Sequence, residues 1–142
     1  MVMTSEEKAS ALAQLPLFAG ISDESMGRLA AVAGEQQFPA GHFIVLQGQV
    51  GSGVYIIVEG SVRVIRGDDE LATLGPGEFF GELAVIDQKP RSASVQTTQP
   101  TRVVAIASWD LLALLESDSA LALNMIKGLV ERVRVAGEQH HH

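Results

Sequence analysis

A chain of 142 residues has room for one ordinary domain with a hydrophobic core, and 46% hydrophobic against 19% charged residues argues for a folded chain over a disordered one. Ten Lys and Arg against 17 Asp and Glu give a formal charge of -7 with the basic residues scattered singly, which excludes a phosphate-neutralising stripe for nucleic acid. There is no cysteine for a disulfide framework or a thiolate metal site, and no apolar run of the roughly 18 to 20 residues that a bilayer crossing takes.

The N-terminal "MVMTSEEKAS" carries acid where an export signal needs positive charge, so a cytoplasmic location is expected. Residues 5–15 and 22–33 have helical composition, separated by Pro16 and Gly20, with Ser22 or Asp23 placed to cap the second segment. After Gly34 the texture changes. "QQFPAGHFIVLQG", "GVYIIVEG", "SVRVIRGDDELATLG" and "TRVVAIA" are short β-branched or aromatic runs between Gly, Pro and Asp-Asp, which predicts a meander of antiparallel strands with hairpin turns at "VEGS" and "RGDDE". From Ser108 the pattern returns to helix, with Ser108 and Asp118 as candidate caps and a break between 116 and 119. The last helix carries one apolar row at Leu121, Met125, Leu129 and Val133 and a second at Ala122, Ile126 and Val130, a stripe wide enough for the domain and for a partner helix or a ligand lid. The expected fold is mainly β with flanking helices: an antiparallel β-roll or jelly-roll-like barrel with N-terminal helices and two C-terminal helices. One domain is expected over 1–137, followed by a tail at 138–142 whose "HHH" resembles a partial His tag.

The chemistry concentrates between 75 and 95. "GPGEFFGE" alone is weak, since Gly75, Gly77 and Gly81 serve tight turns equally well and their spacing does not fit the dinucleotide fingerprint. The continuation adds weight. "ELAVI" is long enough for one helical turn, and a turn that starts at a glycine presents free backbone N–H groups to an anion. Pro90 ends the excursion, and Arg91 heads the alternating strand "SASVQTT" with a planar fork suited to a phosphate. Ser92 adds a hydroxyl, Ala93 leaves room for backbone approach, and Glu82, an acceptor when ionised, suits a ribose 2'-OH. Taken singly, Glu82 is a solvated acid and Arg91 a strand-edge charge; together they describe a pocket for a nucleotide.

These residues resemble the phosphate-binding cassette of the cyclic-nucleotide-binding domain family, the type found in catabolite activator proteins, kinase regulatory subunits and cyclic-nucleotide-gated channels. The cassette runs Phe-Gly-Glu-Leu-Ala and then Pro-Arg-Ala/Ser/Thr-Ala-Thr/Ser-Val, and this chain has Phe80, Gly81, Glu82, Leu83, Ala84, then Pro90, Arg91, Ser92, Ala93, Ser94, Val95. "GSGVYIIVEGSVRV" and "LPLFAGIS" resemble the family's hairpin and its N-terminal entry. The resemblance implies that Gly81, Leu83 and Ala84 offer backbone contacts, Glu82 holds the ribose 2'-OH and Arg91 holds the cyclic phosphate. It also implies that Ser92 and Ala93 complete the phosphate pocket, and that Val64, Leu74 and Phe79 line an apolar wall near sugar and base.

No catalytic residue and no metal or cofactor is expected. His42 is the sole histidine outside the terminal run, and no serine has a nucleophile-base arrangement. The implied function is a regulatory domain that binds cyclic AMP in preference to cyclic GMP and relays it by re-docking its C-terminal helices. Ser92 lies chemically between the residues that relatives use for the two purines. Ala136 and Gly137 stand where activator-type relatives place base-contacting hydroxyls. The alternatives are the sensor half of a transcription regulator, or a degenerate domain that acts only as an interaction module. Expected partners are the nucleotide and a second copy or an effector protein at helix 119–135, without direct binding of nucleic acid.

Overall fold

The computed structural model describes residues 4–50, 53–81 and 90–140, with side chains as far as Arg134 except at 132. Two helices, α1 (Ser5–Ala13) and α2 (Asp23–Val32), flank a single 3-10 turn at Pro16–Phe18. Among the described residues eight strands follow: β1 (Gly34–Phe38), β2 (Phe43–Val45), β3 (Gly53–Glu59), β4 (Val62–Arg66), β5 (Asp69–Leu74), β6 (Phe79–Phe80), β7 (Ser94–Thr97) and β8 (Thr101–Ala107). The described chain closes with α3 (Ser108–Ser117) and α4 (Ser119–His140).

The helices start where side chains can satisfy their first amides. Thr4 and Glu7 form a reciprocal capping box on α1, and Ser22 rather than Asp23 caps α2, accepting from the Ser25 amide at 3.0 Å. Ser108 does not cap α3. The preceding Ala107 holds that position without a side-chain bond, and the Ser108 hydroxyl has no hydrogen-bond partner among the described residues.

The strands do not form the sequential meander that their order suggests. β1 pairs with β8, β2 with β7, β3 with β6 and β4 with β5, a nested set expected of one long hairpin wrapped on itself. The result is two four-stranded antiparallel sheets, ordered β1-β8-β3-β6 and β2-β7-β4-β5, rather than one closed ladder. "RGDDE" is the expected hairpin, with Arg66 opposite Asp69. "VEGS" instead carries the chain from one sheet to the other. Gly60 there has φ +97°, and a β-carbon on it would lie 2.5 Å from the Pro100 carbonyl, so glycine is what permits the crossing.

β3 and β8 are apolar at nearly every position because their sheet is covered on both faces. Val54, Ile56, Val104 and Ile106 pack with Leu12, Phe18, Leu29, Leu111 and Leu121 under the helices. Ile57 and Val103 pack on the opposite face with Val62, Phe80 and Val95 of the β-rich side. Each such side chain stabilises the fold by about 1.5–3 kcal/mol relative to its exposed form. β5 is exposed along most of its length, as an outer strand can be.

α4 divides along its length. Leu121 and Met125 are buried, and Asn124 donates to the carbonyls of Leu17 and Ala19 at 3.1 and 2.7 Å, which fastens the first turns to the N-terminal segment. Val133, placed by its spacing on the buried row, is 71% exposed, as are large parts of Ile126 and Val130.

Asp118 supplies the break between α3 and α4 and ties it to α2. Its carboxylate accepts from the Leu121 amide at 3.1 Å and from the Ser22 amide at 3.3 Å. Its pKa is held below the ordinary aspartate value, chiefly by the hydrogen bond from the Ser25 side chain and next by the Leu121 amide. A carboxyl with a depressed folded-state pKa contributes stability above its unfolded pKa and loses it as the pH falls through the folded value. Asp118→Asn is therefore expected to narrow its stability gap from wild type in urea titrations as the pH drops below the carboxylate range. A gap that is constant from neutral to strongly acid pH would contradict this role.

Candidate functional site

β6 is followed by Gly81, whose φ of +90° is a conformation that glycine permits. Phe80 lies opposite Tyr55 in the β3–β6 ladder, and their rings stack at 5.2 Å on the inter-sheet side. Phe79, one residue earlier, points to the other face as strand alternation requires. It joins the helix-side cluster, and a β-carbon on Gly128 of α4 would meet its ring at 3.2 Å.

Arg91 re-enters the described chain beside this turn. Its guanidinium donates through Nη1 to the Gly81 carbonyl and through Nη2 to the Gly53 carbonyl, each at 2.9 Å. Its backbone is held as firmly, with its N–H donated to the Gln49 carbonyl at 2.7 Å and its carbonyl accepting from the Gly48 amide at 2.9 Å. Only 7% of the residue is exposed. A guanidinium stays ionised at that depth because its pKa lies far above neutrality and carbonyl acceptors replace the lost water.

A hollow of about 170 Å³ opens beside it, lined by Ile44, Val45, Leu46, Gln49, Val50, Tyr55 and Arg91. Val64 and Leu74 are half-buried in the inter-sheet cluster that also contains Ile44, Val45 and Tyr55, so they share the apolar surroundings of the hollow without lining it. Ser92 is exposed and Ala93 half-buried on the continuation toward β7. The structure thus brings Gly81, Arg91, Ser92 and Ala93 to one place and leaves Phe79 on the helix side of its sheet. Glu82, Leu83 and Ala84 lie outside the described residues, as does the "ELAVI" turn.

Sequence reasoning did not find Tyr55, Gln49, Val50 or the carbonyl of Gly53. Alternation in "GVYIIVEG" places Tyr55 on the face of Ile57, which is a usable signal. A backbone carbonyl carries no side-chain signature, and residues 44–50 reach the site only through pairing across the sheet. Chemically, the arrangement is a buried cation beside Gly81 and a small hollow lined by both polar and apolar groups, which suits a small anion. Among the described residues, no cluster of His, Cys, Asp or Glu could hold a metal ion, and no helix is long and apolar enough to cross a membrane.

Residues 35–118 match the family model of the cyclic nucleotide-binding domain. A cyclic AMP receptor protein of Thermus thermophilus is 36% identical over 126 residues, which cover 85% of this chain and 58% of the relative. A cGMP-dependent protein kinase of Plasmodium berghei is 34% identical over 133 residues, covering 90% of this chain and 14% of the kinase. Among solved structures, the regulatory domain of Toxoplasma gondii PKA with cAMP aligns with a TM-score of 0.79 at 27% identity, over 87% of this chain and 49% of that one. The chain thus spans little more than half the length of the bacterial relative and a smaller share of the kinase.

The geometry makes Gly81 sensitive to any side chain. A β-carbon there would lie 2.6 Å from Arg91 Nη1 and 2.8 Å from the Gly53 carbonyl, on top of an unfavourable φ. Gly81→Ala is expected to cost about 1–3 kcal/mol of stability and to shift the Arg91 guanidinium resonances in NMR spectra. Unchanged resonances with an unchanged urea midpoint would show that the guanidinium does not sit against Gly81.

Proposed function

The chain belongs to the cyclic nucleotide-binding domain family, and from that premise we propose that it is a non-catalytic regulatory domain that binds a cyclic nucleotide beside Arg91, with cyclic AMP preferred over cyclic GMP. The observation that carries the proposal is the clamp of the Arg91 guanidinium between the carbonyls of Gly81 and Gly53, which fixes a permanent positive charge at the mouth of the glycine turn. The cyclic phosphate takes Arg91 as its cation and the backbone of Gly81, Leu83 and Ala84 as its amide cradle, with Ser92 and Ala93 closing the pocket. Glu82 takes the ribose 2'-OH. Val64 and Leu74 stand behind the apolar wall of sugar and base, whereas Phe79 bears on α4. The preference for cyclic AMP rests on the Arg91-Ser92-Ala93 run and on similarity to the cyclic AMP receptor protein; a cGMP-dependent kinase is also among the relatives. The proposed domain spans 1–137 and works in the cytoplasm, where such a messenger is made.

The relay is proposed to run through α4. Its first turns are pinned by Asp118 and Asn124, while Gly128 rests on Phe79, two residues from the turn at Gly81. Nucleotide binding shifts the population of docked and released states of the part beyond Gly128, by as much as its differential affinity for the two. A second reading, the sensor half of a longer transcription regulator, is favoured by the exposed row Leu123, Ile126, Val130 and Val133. This row alternates steps of three and four residues, as a two-helix seam does, and suits a second copy or an effector helix. An interaction module that binds no ligand is the outcome if titration shows no heat with any cyclic nucleotide.

Calorimetric titration with cyclic AMP, cyclic GMP and AMP tests the first reading. Cyclic AMP should bind tightest, and Arg91→Ala should lose about 2–4 kcal/mol of binding; a dissociation constant unmoved by that change would remove Arg91 from the pocket. Equal binding of 2'-deoxy cyclic AMP would contradict the role given to Glu82. Amide hydrogen exchange tests the relay separately: protection across 108–136 should change at saturating cyclic AMP, and identical exchange with and without ligand would show that the helices take no part.

A further inference from the structure

The basic residues are scattered in sequence, but the fold returns one of them to the cassette. Arg66 ends β4 beside the β4–β5 hairpin, and its Nε donates to the carbonyl of Ser92 at 3.2 Å. The same hairpin is tied to the same segment a second time through Gln47, whose side-chain carbonyl accepts from the Gly67 backbone N–H at 2.9 Å and whose backbone N–H donates to the Ser94 hydroxyl at 2.8 Å. Ser92 and Arg66 are both exposed, while Arg91 before them is buried and Ala93 after them half-buried. The Ser92 carbonyl is thus met by Arg66 at an exposed position. In a trans peptide the carbonyl and the following N–H point in opposite directions, so the Ala93 N–H is directed away from Arg66.

We infer that Arg66 is a positioning residue for the anion: by holding the Ser92 carbonyl at the surface, it presents the Ala93 N–H to the phosphate. This rests on the nucleotide reading of the pocket and adds to it a residue outside the cassette. Arg66 reaches the ligand only through the Ser92–Ala93 peptide. Its charge is secondary, because the bond is directional and two acids follow it, Asp68 in the turn and Asp69 at the start of β5.

Glutamine separates the two roles, since its Nε2 stands the same number of bonds from the backbone as arginine's Nε and still donates, without the charge. The experiment is calorimetry with cyclic AMP, together with nitrogen-15 amide spectra of the full chain, on wild type, Arg66→Ala and Arg66→Gln. Arg66→Ala should weaken binding about tenfold, as expected for one lost hydrogen-bonding geometry, and shrink the ligand-induced shift of the Ala93 amide while that of Gly81 persists. Arg66→Gln should retain the Ala93 shift and most of the affinity. Binding by Arg66→Gln as weak as by Arg66→Ala, with the Ala93 shift intact in both, would reduce Arg66 to a distant charge and overturn the inference. Wild-type affinity in Arg66→Ala would do the same. If the alanine variant does not fold, Arg66→Met, which keeps the aliphatic stem but cannot donate, takes its place in both readouts. Failure of wild type to bind any cyclic nucleotide would instead remove the reading of the pocket, and this inference with it.

Discussion

A buried guanidinium that bridges two backbone carbonyls constrains everything around it. Arg91 joins Gly81 to Gly53, and through its own peptide groups it also holds Gly48 and Gln49. A cation with so little exposure is tolerated only when its donors are met, and a charge-assisted bond contributes about 1.5–3 kcal/mol. Because the acceptors are main-chain carbonyls, the backbone itself must come close, and both acceptor residues are glycines. A β-carbon on Gly53 would lie 2.7 Å from the Ile106 carbonyl, and one on Gly81 would strike the guanidinium. The clamp is thus a property of backbone shape as much as of one side chain.

The nested strand pairing is what assembles that shape. β7 lies between β2 and β4, so the segment leading into it is brought against residues 46–50 on one side and the end of β4 on the other. β6 lies on β3 in the opposite sheet, which places Gly81 near Gly53. No local preference in any of these short strands produces the meeting. It follows from wrapping the whole hairpin so that β3 and β8 can bury both faces, one under the helices and one against the second sheet.

This division explains which features were legible in the sequence. Strand positions, both helix pairs and the break at Asp118 rest on local signals such as β-branched runs, caps and turn residues, and they can be read directly. The pairing could not be: "VEGS" has the composition of a hairpin, yet its glycine crosses between sheets because the burial of β3 on both sides decides where β4 goes. Arg91 and Gly81 stand out in the sequence because their spacing matches a known cassette, and the structure brings the two into contact. Gly53 and Arg66 were not, since one acts through a carbonyl and the other is a lone arginine until the ladder opposite Ser94 brings it home. Phe79 shows the limit of motif transfer without register, for one step along β6 exchanges the inter-sheet face for the helix face.

The same one-residue alternation gives α4 its place in the proposed mechanism. Phe80 faces Tyr55 and the inter-sheet cluster, Phe79 faces α4 at Gly128, and the two are adjacent on a two-residue strand that ends at the glycine turn. Any change at the turn that rotates β6 must therefore be felt on both faces at once. Beyond Gly128, Leu129 still packs against the helix-side cluster while Val130 and Val133 are exposed, so the described end of the helix has less apolar contact with the domain than its first turns. Coupling between two sites is reciprocal in free energy. If a partner on the exposed row favours one arrangement of α4, the nucleotide's affinity for this domain is set jointly by the pocket and by whatever occupies the row, and an affinity measured on the chain alone is that of one arm of the linkage.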